Sequence, residues 1–371
     1  MKLWFLYLVG SVLICVSCGQ ESLQPPVPPT DPAVFSITVI EDEVNGVPVV
    51  VAGSRGHEFM VSYQPRTTTG EAIHLVAVQD SLPVIMRSQD GTLWDIFGIA
   101  VSGPRFGDTL ELLHSFNGYW FAFGAMFPGL EIYDGEIRDV QIDSEPADGW
   151  LIPTDHVFQS AGFNTIPALD FPQTISTNFS ESFEFYVDDG DLVIGVPGPD
   201  HHRAYPHNLL DWHEVANDQL GTQEYAVTYC PLTGTATVWD RQTHDGTRMF
   251  GVSGLLYNRN LVPYDRDTES LWSQINELCV NGPLIGERPR RLRFVETTWR
   301  TWLYMYQSAD VISGETGFDR DYSVYPYGDY KTDDSFIGLP VAYEDDRLPA
   351  KERVHCIVVD GKAKAYRLMS F

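Results

Sequence analysis

Cys230 and His213 are the side chains in this sequence best suited to chemistry. A cysteine supplies a nucleophilic thiolate or a soft ligand, and an imidazole supplies a base or a borderline ligand near neutral pH. Tyr229-Cys230-Pro231-Leu232-Thr233-Gly234 reads as a strand end running into a turn. Pro231 presets φ for that turn and Gly234 releases it, so Cys230 is expected at a strand tip. His213 lies in a run with apolar residues at helical spacing: Leu209, His213, Ala216 and Leu220 share one face. Its ring is therefore expected to face packed protein. It is either a core histidine held by backbone groups or an imidazole aimed at a site. Glu214 lies about 100° around the helix and caps, pairs or faces solvent. Together Cys230 and His213 suit a copper or zinc site, with His207 and His202 as further ligands. They equally suit a thiol enzyme with Cys230 as nucleophile, His213 as base and Glu214 beside them. A third reading puts Cys230 in a disulfide with Cys279, or with Cys356.

Weaker constellations surround this pair. His201, His202 and His207 fall within seven residues, as metal ligands or simply as a polar turn. Tyr264-Asp265-Arg266 and Trp239-Asp240-Arg241 repeat an aromatic-Asp-Arg triplet. Asp265 and Arg266 read as an anion or sugar-hydroxyl site, or as a strand-end salt bridge. Beyond the leader there is no CxxC, and HExxH, GxSxG and P-loop signatures are absent.

Elements that would position these groups are mostly short strands. Runs at 35–40, 47–51, 74–78 and 83–86 have β character and are punctuated by Gly, Asn and Asp. So do runs at 183–187, 192–196, 225–229, 236–239 and 353–359. Helices are expected over 206–219, 296–307 and 117–126. The fold class is mainly β with a few short helices, of α+β type.

Internal similarity organises the chain into two β-rich halves, 35–150 and 151–371, with the pattern of a duplication. Residues 83–98 lie without gaps against 261–276, and Leu93-Trp94 matches Leu271-Trp272. Each copy continues to a Gly-Pro pair (Gly103-Pro104; Gly282-Pro283) and a second glycine (Gly107; Gly286). Each then reaches a Trp-bearing apolar stretch (Trp120; Trp299 and Trp302). A shorter echo joins 191–206 to 353–367 as hairpins of one design. The copies differ upstream, where 49–53 stands opposite 226–230 and has no counterpart to Cys230. The first half reads as scaffold and the second as the bearer of polar chemistry.

The N-terminus carries an address. Lys2 precedes an apolar run, Leu3 to Val16, too short to span a bilayer and suited to a signal peptide. It ends in Val16-Ser17-Cys18-Gly19, a lipoprotein-type cleavage pattern that predicts acylation of Cys18, palmitate included. Residues 19–34 hold five prolines and read as an extended tether. The expected location is the cell envelope, anchored at the outer membrane on its periplasmic or surface side. Net charge is −27, from 51 acidic and 24 basic residues, which disfavours nucleic acid as a partner. Protein or small-molecule partners are left open.

The runs AYPHNLLDWHEVAND, AVTYCPLTGTATVWDR and FGVSGLLYNRNLVPYDRDTESLWSQ make the chain resemble the bacterial domain-of-unknown-function family 3179. The resemblance spans 165–370, opening near Ile166-Pro167-Ala168-Leu169 and Asp191-Leu192-Val193-Ile194-Gly195. Many members carry a second cysteine where this chain has Thr233, so the CxxC of those members is missing. The resemblance implies an exported, often lipid-anchored protein and assigns no reaction.

Overall fold

Tight turns between alternating strands set the architecture. Asn45-Gly46 and Asp360-Gly361 each place two successive residues at positive φ, joining Thr38–Val44 to Val47–Ser54 and Arg353–Val359 to Lys362–Arg367. Turns of this hand match the right-handed twist of the strands they connect, and Asn-Gly and Asp-Gly are the dipeptides that adopt them most readily. A computed structural model describes residues 32–67, 69–135, 140, 145–177, 186–244 and 246–371. The leader at 1–18, Cys18, nearly all of the tether and most of the expected strand at 183–187 lie outside the described residues.

Six sheets of four or five strands form a mainly β, six-bladed propeller-like arrangement. The first sheet holds Thr38–Val44, Val47–Ser54, Phe59–Thr67 and Leu110–Leu112. The second holds Leu75–Ala77, Val84–Ser88, Leu93–Asp95 and Ala100–Ser102. The third joins His114–Tyr119 and Glu131–Ile132 to the C-terminal hairpin Arg353–Val359/Lys362–Arg367. The fourth contains Leu169–Asp170, Val215–Leu220, Gln223–Cys230 and Thr235–Asp240. The fifth contains Val157–Gln159, Phe250–Tyr257, Asn260–Asp265, Leu271–Ser273 and Leu278–Asn281. The sixth contains Thr174–Ser176, Leu192–Val196, Arg203–Pro206, Val295–Thr298 and Asp310–Ile312.

The second and fifth sheets, and the third and sixth, share a four-strand core and local irregularities, whereas the fourth strand of the first sheet and that of the fourth sheet lie on opposite edges. In both the second and fifth sheets the register slips between the Leu and the Trp of the shared dipeptide, at Leu93/Trp94 and Leu271/Trp272. Gly103 and Gly282 take φ of 92° and 99°, and a Cβ at either would strike the backbone of Thr92 or Ser270. The hairpin Leu192–Val196/Arg203–Pro206 pairs with Val295–Thr298 and Asp310–Ile312 as the C-terminal hairpin pairs with His114–Tyr119 and Glu131–Ile132. The C-terminal hairpin therefore completes a sheet begun by the first half, whereas the sixth sheet lies wholly within 151–371. A cut at 150 does not yield two sheet-complete pieces, and Asp31–Phe371 forms one compact unit.

The helices are shorter than the sequence pattern suggests. Helix α1 is Trp120–Met126, α2 is His207–His213 and α3 is Trp299–Met305. Each begins where a strand ends (His114–Tyr119, Arg203–Pro206 and Val295–Thr298), so the expected spans 117–126, 206–219 and 296–307 merge strand and helix. For α2 the error lies at the far end. Residues 215–220 form a strand, pairing from Val215↔Thr228 to Leu220↔Gln223, because the ladder with 223–230 outweighs a helical apolar spacing. Pro206 is the extended cap of α2 rather than its first turn. Among the described residues no helix is long and apolar enough to cross a membrane.

Candidate functional site

The end of α2 is strained. Glu214 leaves the helix at φ 58°, ψ −32°, a conformation costly for a residue with a Cβ. Its N–H donates to Leu210 O and its carbonyl accepts from Tyr229 N, so the strand Gln223–Cys230 holds it in place. The Glu214 side chain is buried, with the Tyr327 hydroxyl donating to Oε1 at 3.4 Å. Burial, reinforced by Asp211, pushes its carboxyl up to about 8, so it is largely protonated at neutral pH.

Cys230 does not stand on an exposed loop. The whole turn 230–234 is buried: Tyr119 N donates to Thr233 O, and Arg353 Nη1 donates to Gly234 O. The thiol lies 3.5 Å from Arg259 O and is pushed up to about 11, first by burial and then by Glu214. A buried, neutral thiol of this kind is a poor nucleophile and a poor ligand. Cys230, Cys279 and Cys356 are all free. The expected Cys230–Cys279 bridge is not formed; the two thiols belong to strands of different sheets, and Cys279 turns to Asn281 O.

His213 is occupied on both nitrogens. Nδ1 lies 2.7 Å from Pro167 O, which only accepts, so Nδ1 carries the proton. Nε2 is then the acceptor, 2.7 Å from the Tyr322 hydroxyl. No lone pair remains for a metal or for a thiol proton. His207, pushed down to about 4 by burial, stands 3.1 Å from Glu296 Oε1 but off the line of a hydrogen bond. Glu296 is instead charge-paired with Arg353 at 3.1 Å. His202 packs edge-on against Tyr306, and His201 pairs with Asp310. The four expected metal ligands, Cys230, His213, His207 and His202, thus have separate surroundings. Among the described residues no group of three or more His, Cys, Asp or Glu is placed to hold an ion.

The aromatic-Asp-Arg triplets also come apart. Asp265 is buried and accepts from Thr268 and Trp272, whereas Arg266 reaches Asp170 at 2.6 Å. Asp240 pairs with Arg290, while Arg241 donates to the carbonyls of Tyr225, Arg248 and Asp218. Successive residues of an extended chain point to opposite sides, which parts each Asp from its Arg.

What gathers at α2 is a different set. A pocket of ≈ 230 Å³ is lined by Asn208 and Asp211 of α2, by Tyr186, Asp188 and Asp191, and by Tyr322, Ser323, Tyr325 and Lys331. Asp211 is 2% exposed and its Oδ2 accepts from Lys331 Nζ at 2.7 Å. Its Oδ1 is buried with no hydrogen-bond partner. Burial, opposed by Lys331, lifts the Asp211 carboxyl to about 6. The far wall is the segment 321–331, DYSVYPYGDYK, with four tyrosines. It is tied down by Tyr322 to His213, Tyr325 to Pro231 O, Tyr327 to Glu214 and Tyr330 to Leu232 O. His213 and Glu214 therefore support this strap. The sequence reading passed over Asp211, Lys331 and the tyrosines; the density of tyrosine at 321–331 was the one available signal. A wider surface groove along 41–49 and 64–74, ≈ 470 Å³, has its His74 already paired with Glu41.

The family model described as "Protein of unknown function (DUF3179)" matches residues 163–370, more than half of the chain. The chain belongs to the DUF3179 family. Its matched region contains α2, the strap and every residue of the pocket. No curated protein and no solved structure matches the chain.

Proposed function

We propose that this DUF3179 protein is a lipid-anchored cell-envelope protein that binds a small polar solute in the pocket beside α2. The observation that carries the reading is the Asp211 carboxylate. It is buried in the pocket wall with one oxygen unpartnered, and an unmet acceptor of that kind costs about 1–3 kcal/mol unless something fills it. The apolar leader, the lipoprotein-type Cys18 and the proline tether support the anchored context. Full-length protein in detergent, screened by thermal shift against small solutes of differing charge, tests the binding. At least one class is expected to raise the melting temperature of the parent chain but not of Asp211→Asn. If no solute distinguishes the two proteins, the pocket is not a binding site. Labelling with an alkynyl fatty acid in a lipoprotein-processing bacterium tests the anchor: label on the parent and none on Cys18→Ser is expected, and equal labelling refutes it.

We infer further that the two halves descend from one duplicated unit. The shared register slip at each Leu-Trp, the matched Gly103 and Gly282 and the like pairing of the two hairpins support this. On this reading the pocket is an acquisition of the second copy.

A further inference from the structure

We propose that the solute is an organic ammonium ion, recognised by Asp211 and the tyrosine ring faces. This rests on the pocket being a binding site and adds the charge of what it takes.

Three features point to a cation. The lining carries three carboxylates, Asp188, Asp191 and Asp211, against one ammonium, Lys331. An anion would meet net repulsion there, and a cation net attraction. The tyrosine hydroxyls are committed elsewhere. Tyr186 donates to Ile312 O, Tyr322 serves His213 and Tyr325 donates to Pro231 O. They therefore offer the pocket rings, not hydroxyls. Tyr186 and Tyr322 stand with ring centroids 5.6 Å apart, tilted by 53°. Aromatic faces attract cations through the ring quadrupole. Finally, the pocket already holds an ammonium. Lys331 Nζ sits 4.1 Å from the Tyr325 ring centroid and 2.7 Å from Asp211 Oδ2. Lys331 is a resident stand-in for the ligand's head group. Its side chain is about one-third exposed and can swing out when an amine enters, while Asp211 Oδ1 supplies a free acceptor.

The test is calorimetric titration of the full-length protein in detergent at pH 8, where Asp211 is ionised. The probes are 1,5-diaminopentane, xylitol as a neutral polar control and succinate as an anionic one. The diamine is expected to bind and to weaken as salt rises. Asp211→Asn is expected to weaken it by about tenfold or more, as loss of a charge-assisted contact does. Tyr325→Leu should weaken it severalfold through the lost ring face. Lys331→Gln should tighten it severalfold, because the internal competitor is gone. That last result separates a competitor from a merely structural lysine, whose loss would lower stability with no gain in affinity. Xylitol binding without diamine binding would overturn the ammonium assignment and leave the pocket standing. Silence from all three probes, together with a featureless solute screen, would sink both readings. Equal diamine affinity in the parent, Asp211→Asn and Tyr325→Leu would place any amine binding elsewhere.

Discussion

The two halves carry the same strand-turn-strand unit with different cargo. In the first, Val47–Ser54 passes through 55–58 to Phe59–Thr67; in the second, Gln223–Cys230 passes through 231–234 to Thr235–Asp240. Both turns span four residues, so Ser54 occupies the place of Cys230. This is one residue on from the alignment of 49–53 with 226–230. Ser54 is fully buried with an unpartnered hydroxyl, and Cys230 is equally buried with its thiol near a carbonyl. The two positions thus have the same burial and the same place in the hairpin. What sets the second half apart is α2 and the strap over it. Asp211 and Glu214, raised by burial, stand at that helix, although Asp95 and Glu58 of the first half are raised by burial as well. What distinguishes Asp211 is an unpartnered oxygen in a pocket wall, a better pointer to a site than an isolated reactive residue type.

The strongest way to break the comparison is to truncate its matched tryptophans. Trp94 and Trp272 are both buried, with indole N–H groups on Ser88 and Asp265. Trp94→Ala and Trp272→Ala are each expected to cost about 3–5 kcal/mol in urea unfolding. A loss at one site less than half that at the other would count against equivalent copies, and with it against the duplication.

A smaller effect should appear with pH. The carboxyl of Glu214 is raised on folding, so the folded chain holds a proton that the unfolded chain has released. Stability from this group is present in acid and is lost as pH rises toward about 8. Asp211 has titrated by about 6, while His57, His114, His202, His207, His213 and His355 are held down by burial and add stability as pH rises through the ordinary imidazole range, so the Glu214 contribution is read as the difference between parent and Glu214→Gln. Relative to Glu214→Gln, the parent should lose roughly 2–3 kcal/mol of stability from pH 6 to 8. Parallel slopes would mean that Glu214 is ionised in the folded protein.

The smallest effect is expected from exchanging the matched residues. Cys230→Ser and Ser54→Cys should each shift unfolding by no more than about 1 kcal/mol. In native protein at neutral pH, iodoacetamide should alkylate Cys230 far more slowly than in urea. Fast native labelling, or loss of solute binding in Cys230→Ser, would restore the thiol to the site.

Much of the scaffold was legible because its signals are local. Asn45-Gly46 and Asp360-Gly361 fix their own hairpins, and the run 353–359 is the strand Arg353–Val359 residue for residue. Gly103 and Gly282 mark turns where any Cβ would collide with backbone. The site was less legible. The spacing of Leu209, His213, Ala216 and Leu220 suggests one helix, yet Glu214 breaks it and half of that stripe lies in a strand. His213 was rightly turned toward packed protein, but its partners come from Pro167 and Tyr322, 46 and 109 residues away.

The sequence by itself determined the β-rich character, the turns, the paired Leu-Trp units and the family, since each depends on residue type and short-range spacing. Only the tertiary structure decided that Cys230 is buried and unbridged, that Asp265 and Arg266 part company, and that Asp211 meets Lys331 from 120 residues away. Burial and long-range pairing set the charge state of an acid or a thiol, and neither is a property of any stretch of chain taken alone.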